Sequence, residues 1–374
     1  MERRTKYPQG EPLPGKTEEA APCQQVSTCI CEDAEVPMRV LHYGLGPIGL
    51  GIVRALSGRD DTTTVAAVDP DPQKCGQSLR SLLGGNGPHT RVRATLREAV
   101  QDAEADVAVH CAGSRLSEVE SQLLDLMRNR LDIVSTAEEL CYPWRRHPEE
   151  AARVHAAALF HGVSVLSTGV NPGLVLDLLP IILSGAVDAL ERIQGERIVD
   201  ALTRREPLQR KIGAGLRPDE FRKLAREGEA GHVGLIESAA MVADALGWQV
   251  ERIVERLRPK IARTRIETSW TVVQPGQVAG IVQDAQAIVS GKPAIALHLE
   301  IYLGAPRPRD RIVLIGNPKV EIVSRGGIAG DEATVAAVVN ALPAVYAAPP
   351  GLWTVRDMPC LRASGPTRPA SQTI

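Results

Sequence analysis

From Met38 onward, short runs of β-branched and aliphatic residues alternate with stretches whose apolar positions recur three and four residues apart. The segment "MRVLHYGLGPIGLGIVRALSG" reads as a strand, a glycine turn and a helix. Four buried-strand candidates follow, "TTVAAVDPDPQK", "ADVAVHCAGSR", "LDIVSTAEE" and "GVSVLSTGVNPG", each closed by polar or turn-forming residues. Between them, "LSEVESQLLDLMRNR" and "HPEEAARVHAAALFHG" carry the helical spacing. Strands alternating with helices predict a parallel, doubly wound α/β sheet.

The texture changes after Asn171-Pro172-Gly173. A helix-like "LVLDLLPIILSGAV" leads into longer strand-like runs, "ERIQGERIVDAL", "IARTRIETSWTVV", "QVAGIVQDAQAIV" and "AIALHLEIYLGA", with one helical insertion around "GHVGLIESAAMVADALGW". These predict a mixed or antiparallel sheet. The chain closes with "GDEATVAAVVNALPAVYAA", a helix with acids in its first turn that is expected to return to the first domain. The expected organisation is a parallel α/β domain over 38–175, completed by about 328–374, and an inserted second domain over 176–327. The segment 1–37, rich in Pro, Glu, Gln and Thr, reads as a disordered extension.

Composition narrows the function classes. A chain of 374 residues suits two domains, and its 43 basic and 45 acidic residues leave a net charge of only -2. No global field exists to hold a nucleic acid or an anionic membrane, so neither is an expected partner. No apolar run reaches the roughly 20 residues that span a bilayer, and the N-terminus lacks a signal-peptide centre, so a cytosolic protein is expected. Cys23, Cys29 and Cys31 cluster in "CQQVSTCIC" without a Cys/His partner group at zinc-site spacing, and no metal site is expected.

Gly44, Gly46 and Gly49 spell G-x-G-x-x-G in "GLGPIG", between a predicted strand and a predicted helix. The first glycine permits the tight turn, the second lets a pyrophosphate approach the backbone, and the third lets helix and strand pack closely. With Pro47 and Ile48 this loop is expected to hold the dinucleotide phosphates at a helix N-terminus. Asp69 ends the next strand, where it would accept from ribose hydroxyls, favour NAD and repel a 2′-phosphate. A turn-starting aspartate in "DPDP" is the alternative, and Lys74 nearby leaves NADP use open. Cys111, Ala112 and Gly113 end a central strand and are expected to border the cofactor.

The stretch "STAEELCYPW" places Glu138 and Glu139 at the carboxyl end of a strand, where open α/β sheets keep their ligands. Ser135 or Thr136 with either glutamate fits a capping box, so one acid is expected to serve the following helix. The other would stand by the nicotinamide end of a cofactor and favour a cation, such as an ammonium or iminium.

That stretch, with "STGVNPG", "VDALTRREPLQRKIGAG", "GHVGLIESAAMVADALGW" and "GDEATVAAVVNALP…PGLWTVRDMP", resembles the 2,4-diaminopentanoate dehydrogenases and the related native amine dehydrogenases. These are similar in architecture to dihydrodipicolinate reductase. The resemblance implies a Rossmann dinucleotide-binding domain carrying an inserted α+β substrate and dimerisation domain, and reversible NAD(P)-dependent oxidative deamination of an amine, or reductive amination of a ketone with ammonia. A homodimer is expected by fold analogy, since an inserted domain with an open sheet often pairs with its copy. The resemblance carries the essential glutamate onto Glu138, with Glu139 as the helix-capping partner. It also implies that Arg197 and His298 hold a substrate carboxylate, a surface Arg and a core His being the alternative.

Asn171 is expected to contact the nicotinamide amide or the substrate, or simply to form a turn before its proline. Trp144 and Tyr302 are candidates for an apolar pocket wall, or for core. His232 faces the cleft or decorates a loop. The patch of Arg204, Arg205, Arg210 and Lys211 reads as a solvated face, or as a partner for a cofactor phosphate. A C–O or C=C reductase like homoserine dehydrogenase or dihydrodipicolinate reductase keeps the same fold, but no lysine follows the fifth strand to act as a cationic donor. A non-catalytic NAD(H)-binding sensor would need no acid there at all.

Overall fold

The computed structural model describes residues 36–363. Cys23, Cys29 and Cys31, and all but the end of the expected disordered extension, lie outside the described residues.

The first half runs β1 (Met38–Tyr43), α1 (Pro47–Leu56), β2 (Thr62–Val68), α2 (Leu79–Leu82), β3 (Val92–Arg93), α3 (Leu96–Asp102), β4 (Val107–His110), α4 (Leu116–Arg128), β5 (Asp132–Ser135), α5 (Pro148–His161) and β6 (Ser164–Ser167). A single 3-10 turn, Glu138–Cys141, follows β5. The chain continues through α6 (Leu178–Ser184), β7 (Arg192–Asp200), α7 (Glu206–Lys211), α8 (Pro218–Glu227), α9 (Leu235–Ala245), β8 (Arg252–Ile261), β9 (Ile266–Glu267), β10 (Val272–Val273), β11 (Val278–Val289), β12 (Lys292–Tyr302), β13 (Arg309–Ile315), β14 (Val320–Arg325), α10 (Gly330–Ala347) and β15 (Gly351–Trp353).

The first sheet has the order β15-β6-β5-β4-β1-β2-β3, and every pair in it is parallel. Its central strands are buried along their whole length, as expected where helices cover both faces. One face packs on α4 and α5 through Leu116, Val119, Leu123, Val154 and Ala158. The other packs on α1 and α10 through Ile52, Val338, Ala341 and Leu342. Gly51 makes that approach close, since a Cβ there would lie 2.8 Å from Val335. Helix α10 thus does return to the first sheet, and β15 adds a short edge strand behind it.

The second sheet, β14-β13-β7-β12-β11-β8, is antiparallel except for the parallel pair β7 and β12. Helix α9 and the cluster around Leu176, Ile193, Ile281, Leu297 and Ile312 fill one side of it. The strand-like reading of "IARTRIETSWTVV" is corrected here. The long strand lies earlier, at β8, and only β9 and β10 form a small hairpin in that stretch. Five charged residues mask β8 in sequence, and they are tolerated because β8 is an edge. Pro259 sits in it for the same reason, since an edge strand need not donate on both sides.

The start of α9 buries Glu237, whose partner Arg146 lies 3.2 Å away. Burial pushes the Glu237 carboxyl up to about 7, with Arg146 pulling the other way. The folded chain therefore holds a proton there that the unfolded chain releases near its ordinary value of 4.5. Stability from this group is present at low pH and falls as pH rises through about 4.5 to 7. Glu237→Gln should gain stability over wild type on going from pH 5 to pH 8 in urea titrations. An equal effect at both pH values would exclude a buried, proton-holding Glu237.

Candidate active site

Strand β1 delivers the glycine loop to the carboxyl edge of the first sheet. Gly44 has φ +91, and a Cβ on it would lie 2.6 Å from the Cys111 carbonyl oxygen. A Cβ on Gly49 would collide with the Gly44 carbonyl oxygen, whereas one on Gly46 would meet nothing within 4 Å. The three glycines thus divide as turn, open approach and close packing. Helix α1 begins at Pro47 with no side-chain cap and no acid in its first turn, which leaves its first N–H groups to a ligand. These features fit a dinucleotide pyrophosphate.

Asp69, buried at the end of β2, accepts from the Leu45 N–H at 2.8 Å, the Asp71 N–H at 3.0 Å and Lys74 Nζ at 2.9 Å. Burial raises its pKa, but these donors more than offset it and hold the carboxyl below its ordinary range. Asp69 therefore ties the glycine loop to the β2 turn.

The two glutamates separate. Glu139 is buried, accepts from the Leu116 N–H at 2.8 Å and lies 3.2 Å from His147 Nε2. It caps α4, a helix that precedes it in the chain, and the expected capping box with Ser135 or Thr136 does not form. Ser135 Oγ instead accepts from the Ala137 N–H at 3.1 Å and lies 3.0 Å from His110 Nδ1. Ser167 Oγ donates to the Ala137 carbonyl at 2.7 Å. The acid turn is thus pinned from β4, β5 and β6.

Glu138 points the other way, into a cleft of about 570 Å³ between the two sheets. A cavity of that size suits a small ligand. Gly46, Pro47, Ile48, Gly49, Cys111, Ala112, Gly113 and Asn171 line it, as does Arg197. Burial pushes the Cys111 thiol up to about 12, so it is a neutral wall and no nucleophile.

Sequence reasoning missed Lys211 as part of this site. From the end of α7 it brings Nζ to 3.4 Å from Glu138 Oε1, across 73 residues of chain. Arg204 and Arg205 also line the cleft and pair with Asp331 at the start of α10, at 2.7 and 3.2 Å. Only Arg210 of that patch is the expected solvated residue, paired with Glu206 one turn away.

Three expected substrate contacts need correction. Arg197 faces the cleft, but His298 and Tyr302 lie on the opposite face of the sheet. Arg197 pairs in register with Leu299, and Leu299 and Ile301 line the cleft, so the alternating residues 298, 300 and 302 point away. His298 lies 2.7 Å from Asp284 and 3.3 Å from Glu300, and Tyr302 stacks under Lys260. Trp144 is partly exposed and packs edge-on against His155, outside the cleft. Among the described residues, no group of three His, Cys, Asp or Glu side chains gathers as a metal site.

Comparison with known proteins matches residues 174–369, more than half of the chain, to the 2,4-diaminopentanoate dehydrogenase C-terminal domain. A 2,4-diaminopentanoate dehydrogenase of Acetoanaerobium sticklandii is 29% identical over 87% of this chain and 94% of its own. An amine dehydrogenase of Streptomyces virginiae is 27% identical over 86% and 96%. The solved amine dehydrogenase of Mycobacterium smegmatis shares the fold with a TM-score of 0.81, at 24% identity over 88% of this chain and 98% of that one.

The glycine geometry makes a separable prediction. Gly46→Ala should raise the dissociation constant for a nicotinamide dinucleotide by at least about tenfold, since a methyl group enters the space the phosphates need, with melting temperature little changed. Gly49→Ala should unfold the protein at markedly lower temperature. Calorimetry and thermal melts of the two variants distinguish these effects.

Proposed function

We propose, for a chain that belongs to the 2,4-diaminopentanoate dehydrogenase family and is an NAD(P)-dependent amine oxidoreductase, that Glu138 is the group that binds and deprotonates the substrate amine. The reaction is oxidative deamination of 2,4-diaminopentanoate or a related amine, and in reverse reductive amination of the ketone with ammonia. The observation that carries this reading is the partition of the paired acids: one spent on a helix, the other free to face the cleft.

Bound along Gly44–Gly49, the cofactor would supply a hydride acceptor. NAD is the preferred form in this reading, with Asp69 set to meet ribose hydroxyls at the edge of the glycine loop. Lys74, already committed to Asp69 and Asp71, keeps NADP within reach.

An amine enters at neutral pH as an ammonium and must lose a proton before its carbon can give up a hydride. Glu138 is the side-chain acceptor in the cleft for that proton, and in the reverse direction it holds ammonia and the iminium cation. Lys211 lies 3.4 Å from Glu138 Oε1, and an incoming cation would compete with it for that oxygen. Arg197 would hold a substrate carboxylate, with Asp310 at 2.9 Å and the Ile328 carbonyl at 2.6 Å fixing its plane. The second sheet is then the substrate and dimerisation domain, and the working form a cytosolic homodimer.

Lys211 also gives a ketone reductase the cationic donor that the sequence lacked, so the two chemistries must be separated by substrate. NADH formation with 2,4-diaminopentanoate and with simple secondary amines should fall about 10²–10⁴-fold in Glu138→Gln, with cofactor affinity and melting temperature retained. Glu139→Ala should instead cost about 1–3 kcal/mol of stability, through the lost cap and its buried donors. Ketone reduction that proceeds equally well without ammonia would move the assignment to C–O chemistry.

A further inference from the structure

One buried acceptor in the cleft has no partner. Asn171 turns its amide nitrogen toward His232 Nε2, at 3.0 Å, and its Oδ1 is buried without a hydrogen bond. Thr168 Oγ1, a short way along the same wall, is also unpartnered. Orphaned buried acceptors are costly unless a ligand satisfies them.

The orientation of that amide is imposed from behind. Gln283 Oε1 accepts from the His232 backbone N–H at 2.9 Å, and Gln283 Nε2 donates to the His232 carbonyl at 2.8 Å and to Glu255 at 2.8 Å. His232 is therefore clamped to β11. Burial, then the nearby charges of Lys211 and Arg197, push its pKa down to about 3. With its proton on Nδ1, the uncharged imidazole presents a lone pair at Nε2, to which the Asn171 amide nitrogen donates, and Oδ1 is left without a protein partner.

A neutral acceptor in a wall near Arg197 and Lys211 calls for a cationic or strongly donating group that travels with an anion. An α-amino acid head has that pattern, its ammonium one bond away from the carbon that bears its carboxylate. We propose that Asn171 is a specificity residue whose Oδ1 receives the second, non-reacting ammonium of a diamino acid, and that His232 is the positioning residue that aims it. The assignment rests on the amine dehydrogenase reading, with Glu138 at the reacting nitrogen and Arg197 at the carboxylate. Of the two contacts expected of Asn171, nicotinamide amide or substrate, it takes the substrate.

The test compares 2,4-diaminopentanoate with 4-aminopentanoate, which keeps the reacting amine and the carboxylate and lacks only the α-amine. Wild type should favour the diamino acid by about 10–100-fold in kcat/KM, the range of a hydrogen bond to a charged group. Asn171→Ala should collapse that ratio to within about threefold by losing activity on the diamino acid, with KM for NAD unchanged. His232→Ala should lower the ratio as well, and His232→Gln, whose oxygen can still accept from the Asn171 amide, should restore most of it. A wild type with no preference overturns the assignment whatever the variants do. Equal losses on both substrates with a raised KM for NAD would return Asn171 to the cofactor. Wild type turning over neither acid nor any simple amine would sink the amine dehydrogenase reading itself, and this assignment with it.

Discussion

The burial of Glu139 decides what Glu138 can do. A carboxylate taken out of water needs a donor, and Glu139 finds the free N–H of Leu116 at the positive end of α4, with His147 Nε2 3.2 Å away. With Ser135 and Ser167 gripping the turn on either side of Ala137, the backbone there has no freedom left. Adjacent side chains in so tight a turn diverge, so fixing one acid on the helix side sends the other to the cleft. The pair therefore divides into an anchor and a side chain that faces the cleft.

The cleft that receives Glu138 is made by both sheets, and its electrostatics depend on their meeting. The first sheet supplies glycines, neutral walls and the half-buried side chain of Glu138. The second supplies cations: Lys211 against Glu138, Arg204 and Arg205 against Asp331, Arg197 against Asp310. Each cation has an acid partner, with Arg204 and Arg205 sharing Asp331, so the cleft offers both signs to a ligand. Closeness at the junction is enforced by backbone. A Cβ on Gly234 would run into Pro172 and come 3.2 Å from the Glu138 Cβ, and Gly234 has φ +106, so glycine is needed there on both counts.

What could be read from the chain alone follows the range of each interaction. The glycine loop was legible because its three roles are set within six residues and one strand, and the doubly wound order followed from alternating periodicities. The capping assignment was half legible: an acid does cap a helix, but one that lies before it, which no local motif encodes. The pairing of Lys211 with Glu138 was invisible, because the two lie 73 residues apart in the chain. Strand β8 was hidden by its charged residues, since an edge facing solvent does not need the alternation that marks a half-buried strand.

The misplacement of His298 shows how little a strand assignment says without register. Arg197 and His298 were matched by position along two strands, and those strands are indeed neighbours and parallel. Register joins Arg197 to Leu299, however, and one residue of offset exchanges the faces of a sheet. The outer face then becomes a closed set of ion pairs in which His298, Asp284, Glu300, Lys260 and Arg258 satisfy one another. A carboxylate entering the cleft therefore meets Arg197 without His298. Burial works against both charges of the Arg197–Asp310 pair, lowering the guanidinium and raising the carboxyl. A second anion beside Arg197 would offset the cost of burying the guanidinium, while its repulsion of Asp310 would favour the neutral form of that carboxyl.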